Sequence, residues 1–80
     1  MIEKIGTLHD VGLDYLKIDA MFIRGIDHNS SHQCFLQGLI AIGHSIGVKI
    51  IAEGVRTQGE VDCLWNLGMD GMTGPFIGLD

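Results

Sequence analysis

Basic residues are scarce in this chain. Five lysines and arginines stand against ten acids in 80 residues, for a net charge of −5. Lys4, Lys17, Arg24, Lys49 and Arg56 are scattered rather than gathered into a stripe, so no surface exists to neutralise a polyanion, and a nucleic-acid polymer is excluded as partner. Also missing is any apolar run of the roughly 18 residues that a membrane span needs. The most apolar stretch, 35–46, is broken by Gln37, Gly38, Gly43 and His44, so no direct membrane segment is expected. The start, Met-Ile-Glu-Lys, lacks the basic-then-apolar pattern of a secretory signal, which points to a cytoplasmic address, or to the cytoplasmic part of a larger, membrane-anchored parent. Cysteine is limited to Cys34 and Cys63, with no CxxC pair. Each sits in an apolar helical pattern, and both are expected to be buried free thiols in a reducing compartment. His28 and His32 have helical spacing but straddle the loop-like DHNSS and have no third ligand nearby, so no metal site is assigned there.

What remains is apolar and periodic. A hydrophobic content of 46% with 19% charged residues favours one small packed domain over disorder. Ile2, Ile5 and Leu8 recur at a helical period over residues 2–11, with Gly12 as a stop. Tyr15–Ile18 then reads as a strand, and DHNSS as a turn with Asn29 or Ser30 capping a helix over about 31–46. Gly47 occupies the C-terminal glycine position of that helix. Val48–Ala52 is a second strand. Thr57-Gln58-Gly59-Glu60 is a capping box that opens a helix over 58–67, with Gly68 as its stop and a short strand at 71–73. The order α–β–α–β–α–β suits right-handed parallel crossovers. Three parallel strands cannot close a barrel, since a (β/α)₈ barrel takes about 250 residues. The chain therefore reads as a piece of a larger α/β fold, expected to expose an unpaired edge and to self-associate.

Two strand ends carry the chemistry. In parallel α/β proteins, functional groups collect at the C-terminal ends of strands. Glu53 follows the second strand directly, and Lys17 lies near the end of the first, with Asp19 just beyond. A carboxylate and a lysine converging on one mouth suit metal-assisted phosphoryl chemistry, the acid holding a divalent ion or its water and the lysine offsetting developing charge. The alternative for Lys17 is structural, a lysine in an apolar setting neutralised by an acid such as Glu53 itself. Asp19 could join the site or cap the following turn. Gly54, Gly74 and Pro75 shape turns.

These residues carry a resemblance. LDYLKIDAMFI, followed by VKIIAEGVRTQGEVDCLWNLGMDGMTGPFIG, resembles the C-terminal third of an EAL domain, the family of cyclic di-GMP phosphodiesterases and their non-catalytic receptor relatives. "KID", "AEGV-T" and "LG-D---G" occur together, in order and at suitable spacing, and the match covers nearly the whole chain. The resemblance implies an α/β fold, the last three units of a (β/α)₈ TIM-type barrel that binds cyclic di-GMP and two Mg²⁺ or Mn²⁺ ions at its C-terminal mouth. It makes Lys17 the active-site lysine and Glu53 the late acid of the metal site. Asp19, Thr73 and Gly74 become candidate nucleotide-binding positions. The EAL signature itself and the paired aspartates of the "DDFG" motif belong to segments before residue 1. Arg56 stands where active members usually have glutamate, and Thr73-Gly74-Pro75 replaces the usual Gln-Gly-Tyr or Gln-Gly-Phe. Both departures resemble the degenerate LapD-type receptors, which bind cyclic di-GMP without hydrolysing it. Three expectations are thus set: a piece of a receptor, a piece of an active phosphodiesterase, or a structural fragment with no nucleotide function. In each case the isolated 80-residue chain is expected to be inactive and to bind no metal of its own.

Overall fold

The structure is a computed structural model that describes residues 14–78. The helix expected over residues 2–11 lies outside them. In chain order the elements are β1 (Asp14–Ile18), α1 (Ala20–Ile23), a 3₁₀ turn (Ile26–His28), α2 (Ser30–Ser45), β2 (Val48–Ala52), α3 (Gln58–Leu67) and β3 (Gly71–Met72). The strands form one sheet in the order β1-β2-β3, and both pairings are parallel. Asp14 pairs with Val48 and Ile18 with Ala52, while Ile51 pairs with Gly71. The third strand is shorter than the expected 71–73, because only two residues stay in the ladder.

Side chains alternate across a strand, so this register decides what each face carries. On β2, Val48, Ile50 and Ala52 are buried while Lys49 is exposed. The buried face is the one that α2 covers, through Leu36, Ile40 and Gly43. Gly43 lies so close to the sheet that a Cβ there would meet Ile50 Cδ1 at 2.8 Å. A glycine inside a helix costs about 1 kcal/mol relative to alanine, and here it permits the close approach that buries Ile50 completely. That burial contributes about 1.5–3 kcal/mol.

The helix ends follow from their caps. Asn29 takes the N-cap of α2, accepting the His32 N–H at 3.0 Å. Thr57 and Glu60 form a reciprocal capping box at the start of α3, and Gly68 closes it in a left-handed conformation. α3 packs on the 3₁₀ turn and on α2, with Val61 and Leu64 entering the same core as Ile23 and Ile26. The short α1 and the 3₁₀ turn are additions to the sequence reading, which placed only a turn before α2. Cys34 corrects that reading as well. It is exposed, because the buried face of α2 runs through Leu36, Ile40 and Gly43, and only Cys63 is half-buried. Burial, with the Asp27 carboxylate as a lesser cause, pushes the Cys63 thiol above its ordinary range.

Candidate functional site

Lys17 and Glu53 share a sheet face by parity. Lys17 pairs with Ile51, and Glu53 lies two residues beyond Ile51, just past the end of β2, so all three point away from the helix-covered face. The ladder also runs one step past the strands, since the Glu53 N–H donates to the Ile18 carbonyl at 3.0 Å. That bond sets the Glu53 backbone beside the end of β1. The outcome is an ion pair, with Lys17 Nζ 3.8 Å from Glu53 Oε2. The side chains are 67% and 39% exposed, so such a pair adds about 0–1 kcal/mol to stability. The sequence reading gave Lys17 an apolar, costly setting. In the structure β1 exposes Tyr15, Leu16 and Lys17, and the ammonium needs no partner to avoid a desolvation cost. The pair does little to hold the fold.

Asp19, Thr73 and Gly74 reach the same end of the sheet by different routes. Asp19 directly follows β1, and its Oδ2 accepts the Met21 N–H at 2.8 Å as the N-cap of α1. Thr73 is tied into the sheet by its backbone, its N–H donating to Ala52 at 2.8 Å and its carbonyl accepting from Val55 at 2.9 Å. Gly74 lies against the Val55 backbone with no room for a Cβ. Gly54, with φ +74°, rests on Ala20 in the same way. The segments after the three strands therefore touch each other, Gly54 against the Ala20 side chain and Val55 against the Thr73 and Gly74 backbone.

A buried acid that the sequence reading used only as a cap stands behind this mouth. Glu60 Oε1 accepts the N–H groups of Arg56 at 2.7 Å and Thr57 at 3.3 Å, and Oε2 accepts that of Gly25 at 2.9 Å. Burial pushes its carboxyl upward, but those three N–H groups and the Arg56 charge outweigh it and hold the group below the ordinary range. The sequence signal was the capping box. The Gly25 contact spans 35 positions and had none.

At the opposite end, Asp70 accepts both the Ile50 N–H and His44 Nε2 at 2.7 Å. A shallow hollow there is lined by His44, Gly47, Val48, Lys49 and Asp70. It lies at the N-terminal end of the strands, away from Lys17 and Glu53, where parallel α/β folds carry stability rather than chemistry. Among the described residues no group of three or more His, Cys, Asp or Glu side chains could hold a metal ion. Glu53 can supply a carboxylate, and the Asp19 carboxylate is engaged as a cap, so the described residues do not by themselves make a metal centre.

Residues 3–79 match the EAL domain family. The chain belongs to the EAL family. The EAL match extends to curated proteins. The bifunctional diguanylate cyclase/cyclic di-GMP phosphodiesterase MucR of Pseudomonas aeruginosa is 35% identical over 63 residues, 79% of this chain and 9% of the relative. The probable cyclic di-GMP phosphodiesterase PdeG of Escherichia coli is 32% identical over 60 residues, 75% of this chain and 12% of the relative. Among solved structures, the MucR phosphodiesterase in its cyclic di-GMP complex superposes with a TM-score of 0.73 at 34% identity, covering 81% of this chain and 26% of that one. A standalone EAL protein of Vibrio cholerae in its cyclic di-GMP-bound form gives 0.73 at 25% identity, over 84% of this chain and 28% of that one. This EAL chain thus spans only a small part of the relatives it matches. Its three parallel strands with intervening helices are those of the family's TIM-type barrel.

Proposed function

We propose that residues 1–80 contribute the last three β/α units of an EAL domain, and that the mouth formed by Lys17, Glu53, Asp19, Thr73 and Gly74 binds cyclic di-GMP. The observation that carries this reading is the convergence of Lys17 and Glu53, 3.8 Å apart, at the C-terminal ends of adjacent parallel strands. Two solved relatives with this arrangement of strands are cyclic di-GMP complexes. In this reading Lys17 meets the anionic phosphodiester and Asp19, Thr73 and Gly74 border the nucleotide. The family's reaction is metal-dependent, with Mg²⁺ or Mn²⁺ supplying an activated water when bound. Glu53 is the group here suited to such an ion, and the remaining ligands would have to come from elsewhere in an intact domain.

Arg56 and Thr73-Gly74-Pro75 favour a receptor with a degenerate catalytic site. Arg56 stands where active members of the family usually carry glutamate, so an acid of the active pattern is replaced by a cation three positions along the chain from Glu53. The second reading, an active phosphodiesterase, is favoured by what the curated relatives are called. Cyclic di-GMP binding and hydrolysis by the full-length parent separate the two. A receptor binds without turnover, and Lys17→Ala or Glu53→Ala changes affinity alone. An enzyme turns over, and either substitution abolishes that. Failure to bind in both metal-free and Mg²⁺-containing buffer contradicts both readings. The address in this proposal is cytoplasmic, and no helix among the described residues is long and apolar enough to cross a membrane. Tyr15, Phe35, Ile42, Ile46 and Trp65 are all more than half exposed, which supports self-association of the isolated chain.

A further inference from the structure

Glu60 is 3% exposed, and buried carboxylates survive only with partners. A capping box asks one thing of its third helical residue, to accept the N–H of the N-cap. Glu60 does this for Thr57 at 3.3 Å, but its two shorter bonds go elsewhere, to Arg56 at 2.7 Å and Gly25 at 2.9 Å. Arg56 ends the segment that begins at Glu53. Gly25 ends the segment that begins at Asp19. Between those two ends, Gly54 rests on Ala20 with no space for a Cβ. The segments that follow β1 and β2 therefore meet at Ala20 and Gly54, and one carboxylate holds both from behind.

We infer that Glu60 is a positioning residue for the Lys17–Glu53 pair, its carboxylate clamping the segment after β2 to the segment after β1 through the Arg56 and Gly25 N–H groups. Glu53 then has its backbone fixed on one side by the Ile18 carbonyl and on the other by the clamped Arg56. Without the clamp, α1 is free to lift from Gly54 and the Glu53 carboxylate loses its set distance from Lys17. The consequence for ligand binding rests on the proposed nucleotide site, whereas the clamp itself is readable without a ligand.

Glutamine separates clamping from capping. It serves a capping box as well as glutamate does, but it has one acceptor oxygen, and its NH₂ cannot face an N–H group. In Glu60→Gln one of the two segments must lose its acceptor. The experiment is amide NMR and hydrogen exchange on the 80-residue chain, wild type against Glu60→Gln. The expected result is unchanged α3 resonances, about tenfold less exchange protection at Gly25 or Arg56, and displaced Lys17 and Glu53 resonances. A folded variant with those signals unmoved overturns the inference. The wild type supplies a second measurement that needs no variant. Its Gly25 and Arg56 amides should titrate together below the ordinary glutamate range, and the Glu53 amide should carry a component with the same midpoint. Among the described residues the charge that acts on Glu60 is that of Arg56 on its own loop, and the Asp27 carboxylate of the 3₁₀ turn lies against the adjoining Gly59. Absence of that shared component overturns the inference if the variant does not fold. Titration of the full-length parent and its Glu60→Gln variant with cyclic di-GMP completes the test. No response in the wild type refutes the nucleotide reading and leaves the clamp to the exchange data. Equal affinities with a folded variant refute the positioning role.

Discussion

Replacing Asp70 with alanine should destabilise the chain by about 2–3 kcal/mol, although Asp70 lies far from the candidate site. Its backbone N–H donates to Ile50 at 2.9 Å, and its Oδ2 accepts the Ile50 N–H at 2.7 Å. One residue thus satisfies both polar groups of Ile50 on that edge, extending the β2–β3 ladder backwards by one step before β3 begins. Ile50 has no exposed surface, so its N–H in the alanine variant is a buried donor without an acceptor. That costs about 1–3 kcal/mol, towards the upper end because the lost acceptor is charged. The contact with His44, whose side chain is 43% exposed, adds no more than about 1 kcal/mol. In a domain of this size each kcal/mol moves the midpoint by about 4–8 °C, so a fall of roughly 10–20 °C is expected. Thermal and urea unfolding followed by circular dichroism measure it, both proteins at one concentration because association would shift the midpoints. Asp70→Asn keeps an oxygen for the Ile50 N–H and should recover more than half of the loss. An alanine variant within about 0.5 kcal/mol of wild type would refute the assignment of Asp70 as the stitch between β2 and β3, since surface changes alone stay within that range.

Acid should act through the same carboxylate. Burial raises the Asp70 carboxyl, but the Ile50 N–H, His44 and Lys49 outweigh it and hold it below the ordinary range. Its stabilisation is then complete above the unfolded value of about 3.9 and is lost as pH falls through the lower folded value. Asp70→Asn should flatten the stability–pH curve below about pH 4, and an unchanged slope there contradicts the assignment. Gly54→Ala should cost about 2 kcal/mol or more, because it combines a Cβ on top of Ala20 with a positive φ of 74°, and unfolding of an otherwise native-like variant measures it. Lys17→Ala should leave stability within about 0.5 kcal/mol, as expected for an exposed pair, and a larger loss would give the lysine a structural role. Cys34 should react with a thiol reagent in the folded chain well before Cys63, whose thiol is half-buried with a raised pKa.

The parallel order was legible because each element announced itself locally. VKIIA is an apolar run of strand length, Thr57 and Glu60 sit at capping-box spacing, and Gly47 and Gly68 stand at helix ends. The same parity that sets the strands brought Lys17 and Glu53 together. α1 was not legible, since four residues are too few to show a period. The exposure of Cys34 was missed because α2 is apolar on more than one side, and only contact with β2 decides which side is buried. The Asp70 stitch and the Glu60–Gly25 bond depend on pairings 20 and 35 positions apart, which no local pattern encodes. Asp19 behaved as its sequence position allowed, capping the turn that follows it while standing at the mouth.

The proposed function turns on whether cyclic di-GMP meets the strand ends that carry Lys17 and Glu53. Titration of the isotope-labelled full-length parent with millimolar cyclic di-GMP, followed by amide and lysine side-chain NMR, reads this directly. Shifts should gather at Lys17, Asp19, Glu53–Arg56 and Thr73–Gly74, leave His44, Val48 and Asp70 at the opposite end unmoved, and weaken in Lys17→Ala. Shifts at the opposite end, or none at saturating nucleotide, would contradict the assignment of this mouth.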